Sequence, residues 1–257
     1  TRPEGRFEAA LESDEGTKDF RLEFHSSVDP GALRPALGPG ERRVLDLFTF
    51  TQPPMLDAEV YGRWNDLDHI GGQGRARLTN FTFRGEAISE VHTAIQYTNR
   101  FLQFIAPQVQ CGARQATADG LGADFIGQKV YLTNGFSTVE PMMVARAIGP
   151  HVARAIESYQ FEQPPVAKVH GTIPMHGEDD ADLHFELKGG PFNWWRFHLP
   201  WVDGHVHWLG QHLTLSNVHL QFYGGSATGE AAFDFHHYFT SPCGRGLCID
   251  MCSNFWD

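Results

Sequence analysis

Two histidines one residue apart give this chain its clearest metal-binding spacing. His205 and His207 follow Asp203-Gly204 in the segment LPWVDGHVHWLG, which runs from Leu199 to Gly210. Side chains two positions apart on a strand point to the same face, so both imidazoles could chelate one metal ion. The spacing alone is therefore compatible with a zinc enzyme.

The length of the chain argues against that enzyme. Asp-Gly-His-x-His after an apolar strand is similar to the opening metal motif of an amidohydrolase, whose barrel needs about 250 residues, most of them after that strand. Only fifty residues follow His207. At an offset of 111 residues, at which the chain repeats itself, His205 and His207 correspond to Ala94 and Gln96. We interpret the two histidines as residues on the solvent-exposed face of a strand. We predict no catalytic residue, no cofactor and no metal site.

Other candidate metal ligands have less suitable spacing. Segment 65–72 is similar to the start of an EF-hand loop but lacks oxygen ligands at its later positions. Segment 177–182 is acidic and, like the first, is interpreted as a solvated turn. The last fifteen residues hold three cysteines spaced C-x4-C-x3-C, without the C-x2-C pairs of common zinc sites. These are Cys243, Cys248 and Cys252.

Composition and charge restrict the classes of partner. The chain has 257 residues, of which 41% are hydrophobic and 20% charged, as in a folded protein. Its net charge of -11 argues against nucleic-acid binding, which needs Lys and Arg to replace phosphate counterions. No apolar run reaches the roughly 18 residues of a membrane-spanning helix. Because the sequence begins with Thr1, we expect it to be an excerpt of a longer polypeptide.

An internal repeat is the strongest signal in the sequence. The segment FTFTQPP, ending at Pro54, recurs as YQFEQPP, ending at Pro165, at an offset of 111 residues. A period this long indicates two copies of a module with several elements. The same offset pairs Val28 with Val139, Gly38-Pro39 with Gly149-Pro150, Leu102 with Leu213, Gln110 with Gln221, and Ala116-Thr117 with Ala227-Thr228.

Alternating polar and apolar residues predict strands in both copies. In ADLHFELKGG, residues 181–190, Leu183, Phe185 and Leu187 share one face and charged residues the other. Each copy begins with two short helical segments broken at Gly-Pro, at residues 38–39 and 149–150. The predicted fold class is mostly β with short helices, as two tandem multi-stranded antiparallel β modules that form a curved, groove-like sheet.

The second copy also suggests a family. Segment 213–229 contains the run Leu-x-Leu-x-Asn-Val, then Tyr-Gly-Gly-x-Ala-x-Gly, and resembles the AsmA-like or TamB-like family. The resemblance covers residues 182–235 and reaches the first copy only through the repeat. It implies a repeating β-groove of the cell envelope in which phospholipid acyl chains move between membranes. It also implies a location in the periplasm, a parent protein anchored in the inner membrane through a missing segment, and an outer-membrane partner.

On this resemblance, the apolar strand faces would line the groove. No polar specificity is expected there, because an acyl chain has to slide. The aromatic segment 192–197 either caps the core between strands or lines an apolar ligand surface. The predicted lining residues are Leu183, Phe185, Leu187, Val206, Trp208, Leu213, Leu215, Leu220 and Phe222 in the second copy, and Leu78, Ile95, Tyr97, Leu102 and Phe104 in the first.

Three regions are predicted along the chain. Residues 1–136 form the first β-groove repeat with a partial preceding strand and a helix pair, residues 137–235 the second repeat, and residues 236–257 an irregular cysteine-containing tail. The predicted function is a fragment of an envelope-spanning lipid-transport protein without enzymatic activity. The alternative is a non-catalytic β-repeat binding or scaffold module, whose apolar faces close on each other as a sandwich.

Overall fold

A computed structural model describes most of the chain as two units. The residues described are 5–148, 153–154, 156–157, 159–175, 181–194, 197–222 and 224–234. The predicted cysteine-containing tail, 236–257, lies outside them, as do Gly149 and Pro150, where the second helical break was predicted. The chain divides into the compact units Thr1–Gly127 and Gln128–Asp257. As predicted, the fold is mostly β with short helices, and the strands form multi-stranded antiparallel sheets.

The described part of the first unit contains nine strands. Antiparallel pairs place them in the order β1-β2-β4-β5-β6-β7-β8, with β3 on β5 and β9 on β7. Sequential hairpins suit the alternating sequence, since each strand finds its partner after a short turn. The strands are β1 Phe7–Ser13, β2 Asp19–Ser26, β3 Phe48–Phe50, β4 Met55–Arg63, β5 Asp66–Phe83, β6 Glu86–Thr98, β7 Phe101–Cys111, β8 Arg114–Thr117 and β9 Gly120–Asp124.

The first unit also contains the two predicted helical segments on either side of Gly38. The first is a 3-10 helix, Pro30–Ala36, and the second is α1, Pro39–Leu45. Pro35 lies inside the 3-10 helix and has no N–H to donate, which disfavours a longer α-helix there. The carboxylate of Asp29 accepts a hydrogen bond of 2.9 Å from the backbone N–H of Gly31 and caps this helix.

Removing this cap is expected to have a measurable but modest effect. Asp29→Ala leaves the Gly31 N–H without its side-chain acceptor, so we expect a loss of about 1 kcal/mol in the free energy of unfolding. Urea denaturation followed by circular dichroism measures it. Asp29→Asn keeps a side-chain oxygen at the same place and is the matched control. Equal losses in both variants would show that the cap contributes nothing.

The second unit contains two antiparallel sheets. The larger has the order β10-β12-β13-β16-β17-β18, and the smaller has the order β11-β14-β15. The helix α2 (Pro141–Ile148) follows β10, and the described residues 153, 154 and 156, before β11, are also helical. The strands are β10 Lys129–Ser137, β11 Tyr159–Phe161, β12 Val166–Pro174, β13 Asp182–Gly189, β14 Phe192–Trp194, β15 Phe197–Leu199, β16 Trp201–Leu209, β17 His212–Phe222 and β18 Gly225–Asp234.

The two units repeat the same strand pairs at the offset of 111. Phe48 pairs with Phe83 in the first unit, and Tyr159 pairs with Trp194 in the second. A bulge interrupts β6 and β7 after His92, and its counterpart interrupts β16 and β17 after Asp203. The bulge residues Ala106 and Asn217, also 111 apart, both have positive φ angles, of 47° and 50°. The sequence repeat therefore corresponds to a repeated structure, including its irregularities.

Little of the described chain is fully enclosed. No large side chain in the described ranges is completely buried, although eight apolar residues are largely buried. In the first unit, Phe48 of β3 packs against Phe81 and Phe83 of β5, with ring centroids 6.2 and 4.8 Å apart. In the second unit, Phe161 stacks on Phe192 at 5.3 Å. Since Phe192 is 6% exposed, at least this residue of the aromatic segment belongs to the core.

Candidate functional site

The apolar residues of the second unit form continuous rows across as many as five strands. Directly paired residues of antiparallel strands share a face. Trp208 pairs with Leu183 on one side and with Leu213 on the other. The next row joins Val169, Phe185, Val206, Leu215 and Ala231 in the same way. Leu220 pairs with Val202 and Ala227, and Leu187 pairs with Ala167 and Gly204.

The first unit has an equivalent apolar face. Ile95 pairs with Phe104, and Tyr97 pairs with Leu102. Leu78 lies on the same face opposite Val91. Tyr97 and Ile95 face Gly72 and Gly74 of β5, so their side chains have no bulky cross-strand neighbour on that side. Each unit therefore presents one face on which the predicted lining residues lie together.

Burial separates these residues into two groups. Leu183 is only 3% exposed and is part of the core. The side chain of Phe222 lies outside the described part of the structure. The other twelve predicted lining residues are half-buried: Phe185, Leu187, Val206, Trp208, Leu213, Leu215, Leu220, Leu78, Ile95, Tyr97, Leu102 and Phe104. Half-burial means that neighbours in the sheet cover the flanks of these side chains while part of each surface stays accessible.

The opposite face of the larger sheet in the second unit carries six histidines. His205 and His207 point to this face, so the sequence interpretation of their common orientation is consistent with the register. His207 lies directly opposite His184 of β13, which in turn lies opposite His170 of β12. The three rings form a stack, with centroids 5.1 and 4.1 Å apart. His212 and His219 of β17 complete the set on this face.

Asp182 joins two of the stacked histidines. Its Oδ1 lies 2.9 Å from Nε2 of His207 and 3.3 Å from Nε2 of His184. The hydrogen bond from His207, with a further contribution from His184, lowers the pKa of Asp182 below its ordinary value. The carboxylate is therefore available as an anionic ligand at neutral pH. The ligand atoms of the three residues all lie within 4.8 Å of one another.

The first unit does not contain this cluster. At the offset of 111, the pair His184 and His207 corresponds to Gln73 and Gln96, which are paired in the same register. Asp182 corresponds to Gly71. Sequence reasoning considered His205 with His207 and missed His184 and Asp182, because neither is close to His207 in sequence. The alternation of ADLHFELKGG placed both on the polar face, but only the strand register could reveal their partner.

The first unit bears two open hollows instead. One, near the 3-10 helix, has a volume of about 520 Å³, and the other, a shallower one on the polar face of the sheet, has a volume of about 890 Å³. Polar residues line part of the sheet hollow, and two of them, His25 and Asp57, are hydrogen-bonded to each other. Gln73 donates to Glu59 at 3.2 Å in the same hollow. Neither hollow contains any of the predicted lining residues other than Ile95.

Cys111 has no feature of a reactive thiol. It is a free, half-buried cysteine at the end of β7. Burial raises the pKa of its thiol above the ordinary value, so the thiolate is disfavoured at neutral pH.

Comparison with known proteins leaves the chain without an assigned family. No family model, no curated protein and no solved structure matches it significantly. None of the helices in the described ranges combines the length and the hydropathy required to cross a membrane. The function therefore has to be argued from the two faces of the sheets.

Proposed function

We propose that this chain is a segment of an envelope-spanning AsmA-like protein, and that its apolar sheet faces hold phospholipid acyl chains in transit between membranes. The observation that carries the proposal is the alignment of the half-buried lining residues on one face of each unit. The proposal places the chain in the periplasm, with its parent anchored in the inner membrane and docked to an outer-membrane partner.

The chemistry of the faces suits a hydrocarbon ligand. On β12, β13, β16 and β17, the described side chains of the apolar face belong to Gly, Ala, Val, Leu, Ile, Phe and Trp. The one indole N–H among them, that of Trp208, donates to the backbone oxygen of Gly210. Each methylene buried against such a face stabilises the complex by about 0.8 kcal/mol. Without polar groups to fix its position, a chain held there is free to slide.

A charge on the apolar face should therefore abolish lipid capture. Leu215→Asp places a carboxylate between Val206 and Ala231, and Phe104→Asp does the same beside Ile95 in the first unit. We expect the amount of lipid bound by each variant to fall at least tenfold. The probe is a vesicle of phosphatidylethanolamine and phosphatidylglycerol, and native mass spectrometry of the recovered protein measures co-purifying lipid.

The chain supplies matched controls for both substitutions. Thr214 and Gln103 precede Leu215 and Phe104 on the same strands and point to the opposite face. Thr214→Asp and Gln103→Asp add the same charge without touching the apolar face, so we expect lipid capture to persist. Loss of lipid in all four variants, or capture unchanged by Leu215→Asp and Phe104→Asp, contradicts the proposal. A wild-type chain that captures no lipid favours the binding or scaffold module instead.

A further inference from the structure

The cluster on the polar face of the second unit has the donors of a metal site. We propose that Asp182, His184 and His207 bind a divalent transition-metal ion, and that Zn²⁺ is the ion their donors suit best. Imidazole nitrogens favour Zn²⁺, Cu²⁺ and Ni²⁺, whereas Ca²⁺ and Mg²⁺ require more oxygen ligands than one carboxylate offers. This inference rests on the opposite face of the sheet and is independent of lipid binding.

Two of the distances between the ligand atoms are close to those of a tetrahedral centre. With metal–ligand bonds of 2.0–2.2 Å, neighbouring ligand atoms of a tetrahedral zinc site lie about 3.4 Å apart. Here Oδ1 of Asp182 lies 2.9 Å from Nε2 of His207 and 3.3 Å from Nε2 of His184. The two imidazole rings are almost parallel, at 11°, and both Nε2 atoms lie within 3.3 Å of the same oxygen.

The supporting strands hold these donors in place. Asp182 and His184 lie on β13, and His207 lies directly opposite His184 on β16, in an unbroken stretch of paired residues. His170 stacks on the outer side of the His184 ring at 5.1 Å and restricts its movement. A site on paired strands is more rigid than one on a loop. The half-exposed side chains leave the remaining coordination positions open to water or to a ligand from a partner.

The first unit indicates which substitutions suit a test of the site. His184 and His207 correspond to Gln73 and Gln96, which occupy the same paired positions of the equivalent strands. His184→Gln and His207→Gln therefore introduce side chains that this backbone already accommodates. Asp182→Asn keeps the size of the side chain and removes its charge. His205→Gln, on the same strand and face as His207 but outside the cluster, is the matched control.

Isothermal titration of untagged full-length chain with ZnCl₂ tests the site, since a polyhistidine tag would bind zinc itself. We expect one Zn²⁺ per chain, at least tenfold weaker binding in His184→Gln, His207→Gln and Asp182→Asn, and unchanged binding in His205→Gln. The circular dichroism of each variant reports whether it is folded. Electron paramagnetic resonance of the wild-type Cu²⁺ complex, which needs no variant, should show hyperfine coupling to two nitrogens.

Three results would overturn the proposal. The first is no zinc binding by the wild-type chain. The second is binding that His205→Gln weakens as much as His207→Gln, which would indicate diffuse binding to a histidine-rich face. The third is Cu²⁺ coupled to fewer than two nitrogens. Because lipid capture is measured without added metal, a failure of this proposal leaves the lipid experiment unaffected, and the reverse also holds.

Discussion

Leu183→Asp is expected to unfold the second unit. Leu183 is 3% exposed, between Gly171 of β12 and Trp208 of β16, and is the only predicted lining residue in the described core. The substitution removes a buried aliphatic side chain, which costs about 2–5 kcal/mol, and buries a carboxylate, which costs several more. The sum is comparable to the whole stability of about 5–15 kcal/mol of a typical domain.

Thermal and urea unfolding followed by circular dichroism and tryptophan fluorescence measure this effect. Leu209→Asp is the matched control, because Leu209 lies on the neighbouring strand, on the polar face, and is 49% exposed. We expect it to change the free energy of unfolding by less than about 1 kcal/mol. If Leu183→Asp were as stable as this control, the described burial of Leu183 would be wrong. The comparison also separates a structural residue from the half-buried residues used to test lipid capture.

Gly171→Ala is expected to lower the free energy of unfolding strongly, although it adds only one methyl group. Gly171 has a φ angle of 137°, which side-chain-bearing residues rarely adopt. A Cβ atom there would lie 2.0 Å from the backbone oxygen of Asp182, within the ladder that joins β12 to β13. Backbone strain and the forced separation of the two strands together should cost about 3 kcal/mol.

Urea unfolding measures the loss, and Gly229→Ala is its control. Gly229 lies on β18 of the same sheet, and a Cβ atom added there would meet no heavy atom within 4 Å. We expect the control to stay within about 0.5 kcal/mol of the wild type. A Gly171→Ala variant that matches it would mean that β12 and β13 are not paired at this position. Reduced zinc affinity in Gly171→Ala is a further expected result, because the displaced strand carries Asp182.

Some of these features were accessible from the sequence because they depend on local periodicity. The alternation of Leu183, Phe185 and Leu187 with polar residues correctly predicted a strand with two different faces. The break at Gly38 correctly predicted two helical segments in the first unit, although not that the first is a 3-10 helix. Strands of three residues, such as β11 and β14, have too few positions to show a period, so alternation alone does not reveal them.

The family resemblance and the function it implies stay predictions. Segment 213–229 carries the resemblance, and its residues are common in strands and turns. The paired rows of apolar residues support the proposal through their chemistry, whichever family the chain belongs to. The lipid experiment tests that chemistry directly, through residues such as Leu215 and Thr214 that differ only in the face they occupy.

By itself, the sequence determined the repeat of 111 residues, the β-rich fold, and which side chains of each strand share a face. These properties follow from the period of a strand and from comparing the chain with itself, so no knowledge of distant contacts is needed. Only the tertiary structure decided which strands pair and in what register. It placed His207 opposite His184 and within reach of Asp182, whereas the sequence had suggested His205 as its partner. Register is set by hydrogen bonds between residues distant along the chain, and that is why the cluster could not be read from spacing.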